Sequence, residues 1–468
     1  MESTTPANGD LPLVDSELLL RYDRPAPRYT SYPTAVEFSE DFGAGDYAAG
    51  LDRMEAGSDV SLYLHLPFCE HRCTFCGCHV VITQKRDVAA KYLDYLEREI
   101  DLIRRRLPPD LKVVQYHWGG GTPTYYTPDQ MRELHAKVSS RFDIQTSAEV
   151  AVEVDPRVTT TDHVDALVEM GFNRLSMGVQ DFNPAVQEEI GRNQTEAETR
   201  ELFDYCRRQK ELQSINLDLI YGLPRQSEEG FAANLESVLD LRPDRVALYS
   251  YAHVPWVRGH QKRMDTDLLP TRDEKFALFA AAIRAFGDSG YRQIGMDHFA
   301  LPDDELSLAL GERRLHRNFM GYTVQRAPVM IGLGISAIGD VGGAYVQSKK
   351  KLSTYYDALD AGELPVEKGY SLSDDDRLRR HVITELMCNL YLDIPEAERL
   401  FGISFADYFS VELAELAEGP GKDGFVSLDG EAIEVTPLGQ LFIRNVCLIF
   451  DRYLREKPRT EPTFSRSV

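Results

Sequence analysis

Residues 61–78 read SLYLHLPFCEHRCTFCGC, and this stretch decides the fold because a short β-rich run leads directly into a loop with four cysteines. From residue 61 onward, similar runs alternate with longer amphipathic segments, which is the pattern of repeated βα units around a parallel sheet. The sequence predicts six strands, at residues 61–66, 113–118, 149–154, 174–178, 215–220 and 245–251. We therefore expect an α/β fold.

Helical periodicity in the connecting segments supports this expectation. Between the first two strands, apolar residues recur at three-to-four spacing from Tyr92 to Leu107, and the pair Pro108-Pro109 ends the run. Similar runs precede Pro243 and Gly290. Each of these helices is expected to cover one face of the sheet.

Changes in the strand and helix pattern along the sequence predict that the chain has four regions. They are an N-terminal arm (1–53), the core of βα units (54–300), a segment that closes the active site (301–365) and a C-terminal helical domain (366–468). In the last part we predict helices at 376–391 and 438–455 and a hairpin formed by 425–428 and 432–435, which is typical of a small winged-helix-like domain.

Charge and terminal composition limit the partners. The 468 residues contain 52 Lys and Arg against 75 Asp and Glu, a net charge of −23 that repels phosphate backbones. A signal peptide begins with Lys or Arg residues, and the first 20 residues contain neither. The apolar runs are too short to cross a bilayer. We expect a cytoplasmic protein that binds neither nucleic acid nor membrane.

The four clustered cysteines predict a metal centre. Cys69, Cys73, Cys76 and Cys78 have a 3-2-1 spacing, whereas a structural zinc site usually takes two well-separated pairs of ligands. A 4Fe-4S cluster accepts closely spaced thiolates from one loop, and three cysteines would leave its fourth iron open to a substrate or cofactor. On spacing alone, zinc and an electron-transfer cluster remain open. The remaining cysteines, Cys206, Cys388 and Cys447, lie in helical patterns and are expected to be buried.

Chemistry should collect where parallel strands end and the βα loops begin. The cysteine loop follows the first predicted strand, and residues 119–123 (GGGTP) follow the second. Glycine there permits a close approach of the backbone to a ligand. We therefore expect the thiols and this glycine-rich turn to share one edge of the sheet.

Two levels of resemblance follow from these motifs. The Cys-x3-Cys-x2-Cys loop with Phe75 before the third cysteine, together with GGGTP, resembles the radical S-adenosylmethionine (SAM) enzymes. Segments along nearly the whole chain are similar, in the same order, to the oxygen-independent coproporphyrinogen III oxidases: RYDRPAPRYTSYPTAVEF (21–38), HWGGGTPTY, VEVDPR, GFNRLSMGVQDFN, LDLIYGLP, GMDHFA and HRNFMGYT. The arm and Cys78 distinguish the chain from the related haem chaperones.

The resemblance implies both a fold and an activity. The fold is a partial (β/α)6 TIM-like radical SAM barrel with an N-terminal arm and a small, mostly helical C-terminal domain. The activity is oxidative decarboxylation of two propionates of coproporphyrinogen III to vinyl groups in haem biosynthesis, by a 5′-deoxyadenosyl radical. An electron donor, an unidentified electron acceptor and a monomeric state are also expected. A haem-delivery protein on the same core remains the alternative.

The resemblance also implies roles for individual residues. Cys69, Cys73 and Cys76 would bind one 4Fe-4S cluster, and the catalytic group would comprise Tyr63, Glu153, Phe319 and Ile338. The first SAM would contact Tyr63, Gly120, Glu153 and Ile338. A second SAM would contact Phe75, Gly121, Thr122, Gln180, Arg192, Asp218 and Ala252. Arg28 and Arg317 are candidates for binding the propionates, and Met320 stands where the family is expected to have Gln.

Overall fold

The computed structural model describes residues 14, 16–457 and 464–466. Residues 1–13, which entered the localisation expectation, lie outside them. The chain forms two compact units, which we call the cysteine unit (Val36–Asp218 and Gln325–Leu372) and the arm unit (Met1–Ala35, Leu219–Val324 and Ser373–Val468). Within the described residues, no helix has the length and apolar character that a membrane span needs.

The strands of the two units are numbered along the chain. They are β1 (Asp59–Leu66), β2 (Phe68–Cys69), β3 (Val81–Ile82), β4 (Lys112–Gly120), β5 (Asp143–Val154), β6 (Arg174–Gln180), β7 (Ser214–Tyr221), β8 (Arg245–Ser250), β9 (Arg292–Ile294), β10 (His298–Ala300), β11 (His316–Asn318), β12 (Gly321–Thr323), β13 (Val329–Leu333), β14 (Ile338–Val341), β15 (Ala344–Ser348), β16 (Val366–Ser371), β17 (Tyr391–Asp393), β18 (Val426–Leu428) and β19 (Ala432–Val435).

The α-helices are numbered in the same way. They are α1 (Ser16–Tyr22), α2 (Ala44–Asp52), α3 (Arg86–Arg104), α4 (Pro128–Ser139), α5 (Thr161–Glu169), α6 (Pro184–Glu189), α7 (Glu196–Arg207), α8 (Glu228–Leu241), α9 (Arg272–Asp288), α10 (Glu305–Gly311), α11 (Leu352–Asp360), α12 (Asp374–Asn389), α13 (Ile394–Phe401), α14 (Phe405–Tyr408), α15 (Ser410–Leu416), α16 (Pro437–Leu441), α17 (Ile443–Leu448) and α18 (Arg452–Glu456).

The sheet of the cysteine unit confirms the predicted α/β fold. Its strands run in the order β16-β15-β14-β13-β1-β4-β5-β6. β1 pairs in parallel with both β13 and β4, and the pairs β4 with β5 and β5 with β6 are also parallel. The strands β13 to β16 pair antiparallel with one another. Because β1 is central and buried on both faces, the loop that follows it starts from a rigid position.

All six predicted strands are present, with differences of one or two residues at their ends except at β5, which begins at Asp143 and not at residue 149. The predicted helix between the first two is α3, which buries the expected apolar residues, among them Tyr92, Leu96 and Ile100. This helix begins at Arg86, and three residues separate it from the end of β3. This arrangement confirms the βα reading of residues 61–118.

The C-terminal part of the arm unit is mostly helical with a small sheet, as expected. The strands β17, β19 and β18 form a three-stranded antiparallel sheet, and the last two are the predicted hairpin. The predicted single helix at 438–455 is wrong, because the chain there forms three short helices, α16 to α18. Phe442 leaves the helical region at φ −111°, and Asp451 caps α18 from an extended conformation. Apolar periodicity continues through such breaks and cannot report them.

Candidate cofactor site

The cysteine loop is anchored at both ends within the cysteine unit. Phe68 is fully buried and packs against the rings of Tyr92, Tyr125 and Tyr126. The short strands β2 and β3 pair in parallel, so the chain leaves and returns at the same place. The four cysteines from Cys69 to Cys78 are therefore presented on a closed loop at the carboxyl end of β1.

Three of the four thiols are the predicted cluster ligands. Cys73 is buried, Cys69 and Cys76 are partly buried, and Cys78 is exposed. The four line one open cavity, which we call the thiol cavity, together with residues from the ends of β4, β5 and β6: Gly120, Gly121, Thr122, Glu153, Asp155, Ser176, Gly178, Gln180, Arg192 and Asp218 among others. The structure thus brings the cysteine loop and the glycine-rich turn to one place, as predicted.

Two guanidinium groups lie against the Cys73 thiol. Arg157 donates to Cys73 Sγ at 3.6 Å and Arg192 approaches it at 3.8 Å. Asp155 holds both arginines, at 2.6 Å from Arg157 and 3.2 Å from Arg192. Positive charge at this position would offset the negative charge that thiolate ligands bring to a cluster.

The environment of Cys69 is different. Burial, the largest effect, raises the pKa of the Cys69 thiol to about 11, although Thr122 Oγ1 at 3.5 Å acts in the opposite direction. A thiol in such surroundings becomes a thiolate ligand when a metal centre replaces its proton.

This donor set fits a 4Fe-4S cluster. In the described part of the chain, no three Cys, His, Asp or Glu side chains are arranged around a single metal ion. A cluster makes a different demand, because each thiolate binds a separate iron, so the thiols need to share a cavity without converging on one point. The loop cysteines meet that demand.

The glycine-rich turn depends on the absence of side chains. Gly120 has φ +114°, and a Cβ atom there would lie 2.6 Å from the ring of His65. A Cβ atom on Gly121 would lie 2.5 Å from the backbone of Pro67, at the start of the cysteine loop. Only glycine allows this turn to pack so closely against the end of β1.

Glu153 is held as a carboxylate at the inner end of the thiol cavity. Its Oε2 accepts a hydrogen bond from the backbone N–H of Gly120 at 3.0 Å, and Oε1 lies 3.6 Å from His117 Nε2. Burial acts to raise the pKa of Glu153, but His117, Gly120 and His65 outweigh it, so the pKa is lowered. About half of the side chain, 45%, remains exposed, which leaves an ionised acceptor available to a ligand.

Tyr63, on β1, and Ile338 are not among the residues that line the thiol cavity. The Tyr63 hydroxyl lies 3.0 Å from His65 Nδ1, and the Tyr63 ring lies 5.8 Å from that of His117. Burial lowers the pKa of His65 to about 4, so the imidazole is neutral near pH 7. Ile338 begins β14 and its backbone lies against Gly332, the residue that pairs with Tyr63 across β1 and β13.

Six of the residues predicted for a second SAM line the thiol cavity. Arg192 donates to the Gly178 carbonyl at 2.7 Å, and Gln180 adopts φ +71°, a strained conformation for a residue with a side chain. Asp218 accepts hydrogen bonds from Ser176 and Asn216, while burial and the nearby Glu153 charge raise its pKa to about 7. Phe75, Gly121 and Thr122 also line the cavity.

Two predicted residues belong to the arm unit. Ala252 follows β8, and Phe319 lies between β11 and β12. Their roles remain predictions.

The sequence analysis assigned no role to Asp155 and Arg157, which line the thiol cavity, or to His65 and His117, which do not. His65 and His117 hold Tyr63 and Glu153, and Asp155 and Arg157 flank Cys73. The two-residue alternation of a strand could have placed His65 on the same face as Tyr63. Nothing local could have shown that Arg157 reaches a thiol 84 positions away.

Comparison with known proteins extends these findings to the whole chain. Residues 63–238 match the model of the Radical SAM superfamily, and residues 372–442 match that of the HemN C-terminal domain. The oxygen-independent coproporphyrinogen III oxidase of Escherichia coli is 44% identical over 97% of this chain and 98% of its own length. That of Pseudomonas aeruginosa is 42% identical with the same coverage.

A solved structure agrees with the sequence comparison. The E. coli protein described as coproporphyrinogen III oxidase (HemN), a radical SAM enzyme, superposes with a TM-score of 0.88 at 44% identity. It covers 91% of this chain, and this chain covers 98% of it. The chain therefore belongs to the radical SAM superfamily and, within it, to the family of oxygen-independent coproporphyrinogen III oxidases.

Proposed function

We propose that the protein converts coproporphyrinogen III to protoporphyrinogen IX without oxygen. Two propionate side chains would become vinyl groups, and each would lose carbon dioxide, one hydrogen atom and one electron. The observation that carries this proposal is the similarity to oxidases of this name over nearly the full length of both chains. The same names favour the oxidase over a haem-delivery protein on this core.

Membership of the radical SAM superfamily implies one 4Fe-4S cluster and SAM. When bound, they would supply a 5′-deoxyadenosyl radical, which can remove hydrogen from unactivated carbon as no side chain can. Cys69, Cys73 and Cys76 would hold the cluster, since their thiols share the thiol cavity.

The chain's own residues would bind and orient SAM in this cavity. The ionised Glu153 can accept hydrogen bonds from ribose hydroxyls or balance a sulfonium charge, and His117 and the Gly120 N–H fix its position. Tyr63, held by His65, and Ile338 would complete this first site. Phe319 is proposed to act in catalysis with them.

A second SAM molecule is part of the proposal. Its site would be formed by Arg192 and Asp218, with Phe75, Gly121, Thr122 and Gln180, all of which line the thiol cavity. Ala252 is also predicted to contact it. An electron donor for the cluster, a separate electron acceptor, a monomeric state and a cytoplasmic location also remain predictions.

An anaerobic turnover assay tests the function. Reconstituted protein is given dithionite, SAM and coproporphyrinogen III, and both 5′-deoxyadenosine and the tri- and dicarboxylate porphyrin products are followed. We expect all of these products from the native protein and none from Cys69→Ser. Cleavage of SAM without decarboxylation would assign the substrate to another class, and tight haem binding without either product would favour haem delivery.

A further inference from the structure

The arm unit contains a second cavity, small and lined by cations, that we call the cation cavity. Arg28, Lys275, Arg444 and Arg466 line it, with Asp297 as the one carboxylate among its described lining residues and Tyr221 on its wall. Its volume of about 40 Å³ exceeds the 10–15 Å³ or so that one water needs, so it has room for a small polar group such as a carboxylate.

Two of the four cations have carboxylate partners. Arg28 pairs with Asp297, which also accepts from His298 at 2.6 Å. Arg466 pairs with Asp23, whose side chain is 2% exposed. Among the described residues, neither of these carboxylates lies within ion-pair distance of the other two cations, Lys275 and Arg444.

Arg444 is buried and bonded, but its charge is not balanced. Its guanidinium donates only to neutral oxygens: the carbonyls of Ala26, Pro27, Ser465 and Arg466 and the Ser465 hydroxyl. The residue is 6% exposed. Burial, together with the nearby charges of Arg28 and Arg317, lowers the pKa of Arg444 to about 9.

Lys275 presents unused donors to the cavity. Its ammonium donates one hydrogen bond, to the Tyr251 carbonyl at 3.0 Å, and lies 5.8 Å from the centre of the Tyr221 ring. Burial lowers its pKa to about 8; Asp23 raises the pKa and Arg444 lowers it further. In the described chain neither Lys275 nor Arg444 forms an ion pair with a carboxylate.

Uncompensated cations are costly inside a protein unless a ligand pairs with them. They are more unexpected here because the whole chain carries a net charge of −23. We propose that the cation cavity binds a carboxylate of the ligand, with Lys275 as the hydrogen-bond donor and Arg444 as fixed positive charge. This carboxylate is a propionate of the porphyrinogen, an assignment that rests on the proposed function.

This assignment differs from the expectation drawn from sequence. Arg28 was a candidate for pairing with a propionate, but its guanidinium already engages Asp297. Arg317, the other candidate, donates to the Arg28 carbonyl and is not among the residues that line the cation cavity. The cavity-lining charges that have no carboxylate partner are instead on α9 and α17, at Lys275 and Arg444.

The test compares two ligands and matched lysine variants of the full-length protein. Binding of coproporphyrin III, the air-stable oxidised form of the substrate, is measured by fluorescence titration beside its tetra-amide, which has no carboxylates. Lys275→Met keeps the apolar stem and removes the charge, Lys275→Arg keeps the charge, and Lys262→Met is the control at an exposed lysine. Melting curves confirm that each variant is folded.

We expect Lys275→Met to weaken binding of coproporphyrin III by about 10-fold or more, as for loss of a charge-assisted hydrogen bond. The tetra-amide should bind native protein and Lys275→Met equally, and Lys275→Arg should retain most of the affinity. Equal coproporphyrin III binding by native protein and Lys275→Met, or equal losses for both ligands, would overturn the proposal.

A small free anion is the other source of a carboxylate. Acetate binding to native protein and to Lys275→Met is measured by calorimetric titration. Heat with native protein but none with Lys275→Met, together with equal binding of coproporphyrin III by both, would overturn the assignment to the substrate. The turnover assay tests the proposed function separately. If Lys275→Met binds coproporphyrin III as the native protein does and the native protein forms the tricarboxylate product, only the proposal for the cation cavity is overturned.

Discussion

Cys73 and Cys78 lie in the same loop, yet their thiols have different surroundings. Cys73 is buried against Arg157 and Arg192, whereas Cys78 is exposed and donates its backbone N–H to Cys76 Sγ at 3.4 Å. A backbone donor to a ligand sulfur is a common companion of iron-sulfur clusters. That Cys69, Cys73 and Cys76 alone bind the cluster remains a prediction.

The two cysteines should therefore respond differently to substitution. Cys73→Ser is expected to lose most of its iron and sulfide after anaerobic reconstitution, while Cys78→Ser keeps about four irons per chain. Iron and sulfide analysis with the electron paramagnetic resonance spectrum of the reduced protein measures both. Equal loss of iron in the two variants would show that Cys78 is a ligand.

Arg157 is predicted to set the redox potential of the cluster. Its guanidinium lies 3.6 Å from Cys73 Sγ, and positive charge beside a thiolate stabilises the reduced cluster. Arg157→Met should lower the midpoint potential by on the order of tens of millivolts, as measured by a spectroscopic redox titration. Arg132→Met, a change of the same charge at an exposed ion pair on α4, should leave it nearly unchanged. Equal potentials for native protein and Arg157→Met would contradict this role.

That the four cysteines share one cavity was predictable from sequence because they lie close together in one loop. Glu153 and the glycine-rich turn were placed by their position after strands and by resemblance. Arg157 and His117 were not, since their roles depend on side chains brought together by the sheet and not on local spacing.

At the scale of elements, α3 connects to the antiparallel end of the sheet through one buried carboxyl group. Glu99 is 2% exposed and accepts from the backbone N–H of Gly334 at 2.6 Å and from the Tyr355 hydroxyl at 2.7 Å. Burial raises its pKa to about 7, although these donors act to lower it.

The raised pKa has a consequence for stability. The folded chain binds the Glu99 proton more tightly than the unfolded chain, so the stability is complete below the ordinary value of 4.5 and falls as pH rises through about 7. The loss corresponds to about 3 kcal/mol. The glutamine in Glu99→Gln cannot ionise. The melting temperature of this variant minus that of the native protein should therefore increase between about pH 5 and pH 8.

An exposed residue supplies the control for this comparison. Glu363 is exposed in the loop after α11. Glu363→Gln should have the same melting temperature as the native protein at both about pH 5 and about pH 8. A melting difference between Glu99→Gln and native protein that does not change with pH would contradict the argument.

Prediction of elements succeeded where a pattern was continuous. The six predicted strands and α3 have strong alternation or helical period. The strand β13, which pairs with β1, contains Gly332, and glycine weakens the strand signal. Gly332 is required because Ile338 packs against its backbone, with a distance of 2.5 Å to an added Cβ atom, and sequence alone does not show that contact.

At the scale of the whole molecule, the chain covers 98% of its E. coli relative, so both the radical SAM region and the C-terminal domain are retained. The thiol cavity and the cation cavity lie in different units, and each fits one part of the proposed reaction. The first fits the cluster and SAM, and the second fits a carboxylate of the substrate.

The central claim is that hydrogen is removed from the propionate side chains by the 5′-deoxyadenosyl radical. Coproporphyrinogen III carrying deuterium on the propionate β-carbons tests it directly in the anaerobic assay. We predict that vinyl product and deuterated 5′-deoxyadenosine form together, with one deuterium transferred per vinyl group. Vinyl product accompanied by unlabelled 5′-deoxyadenosine would contradict the account.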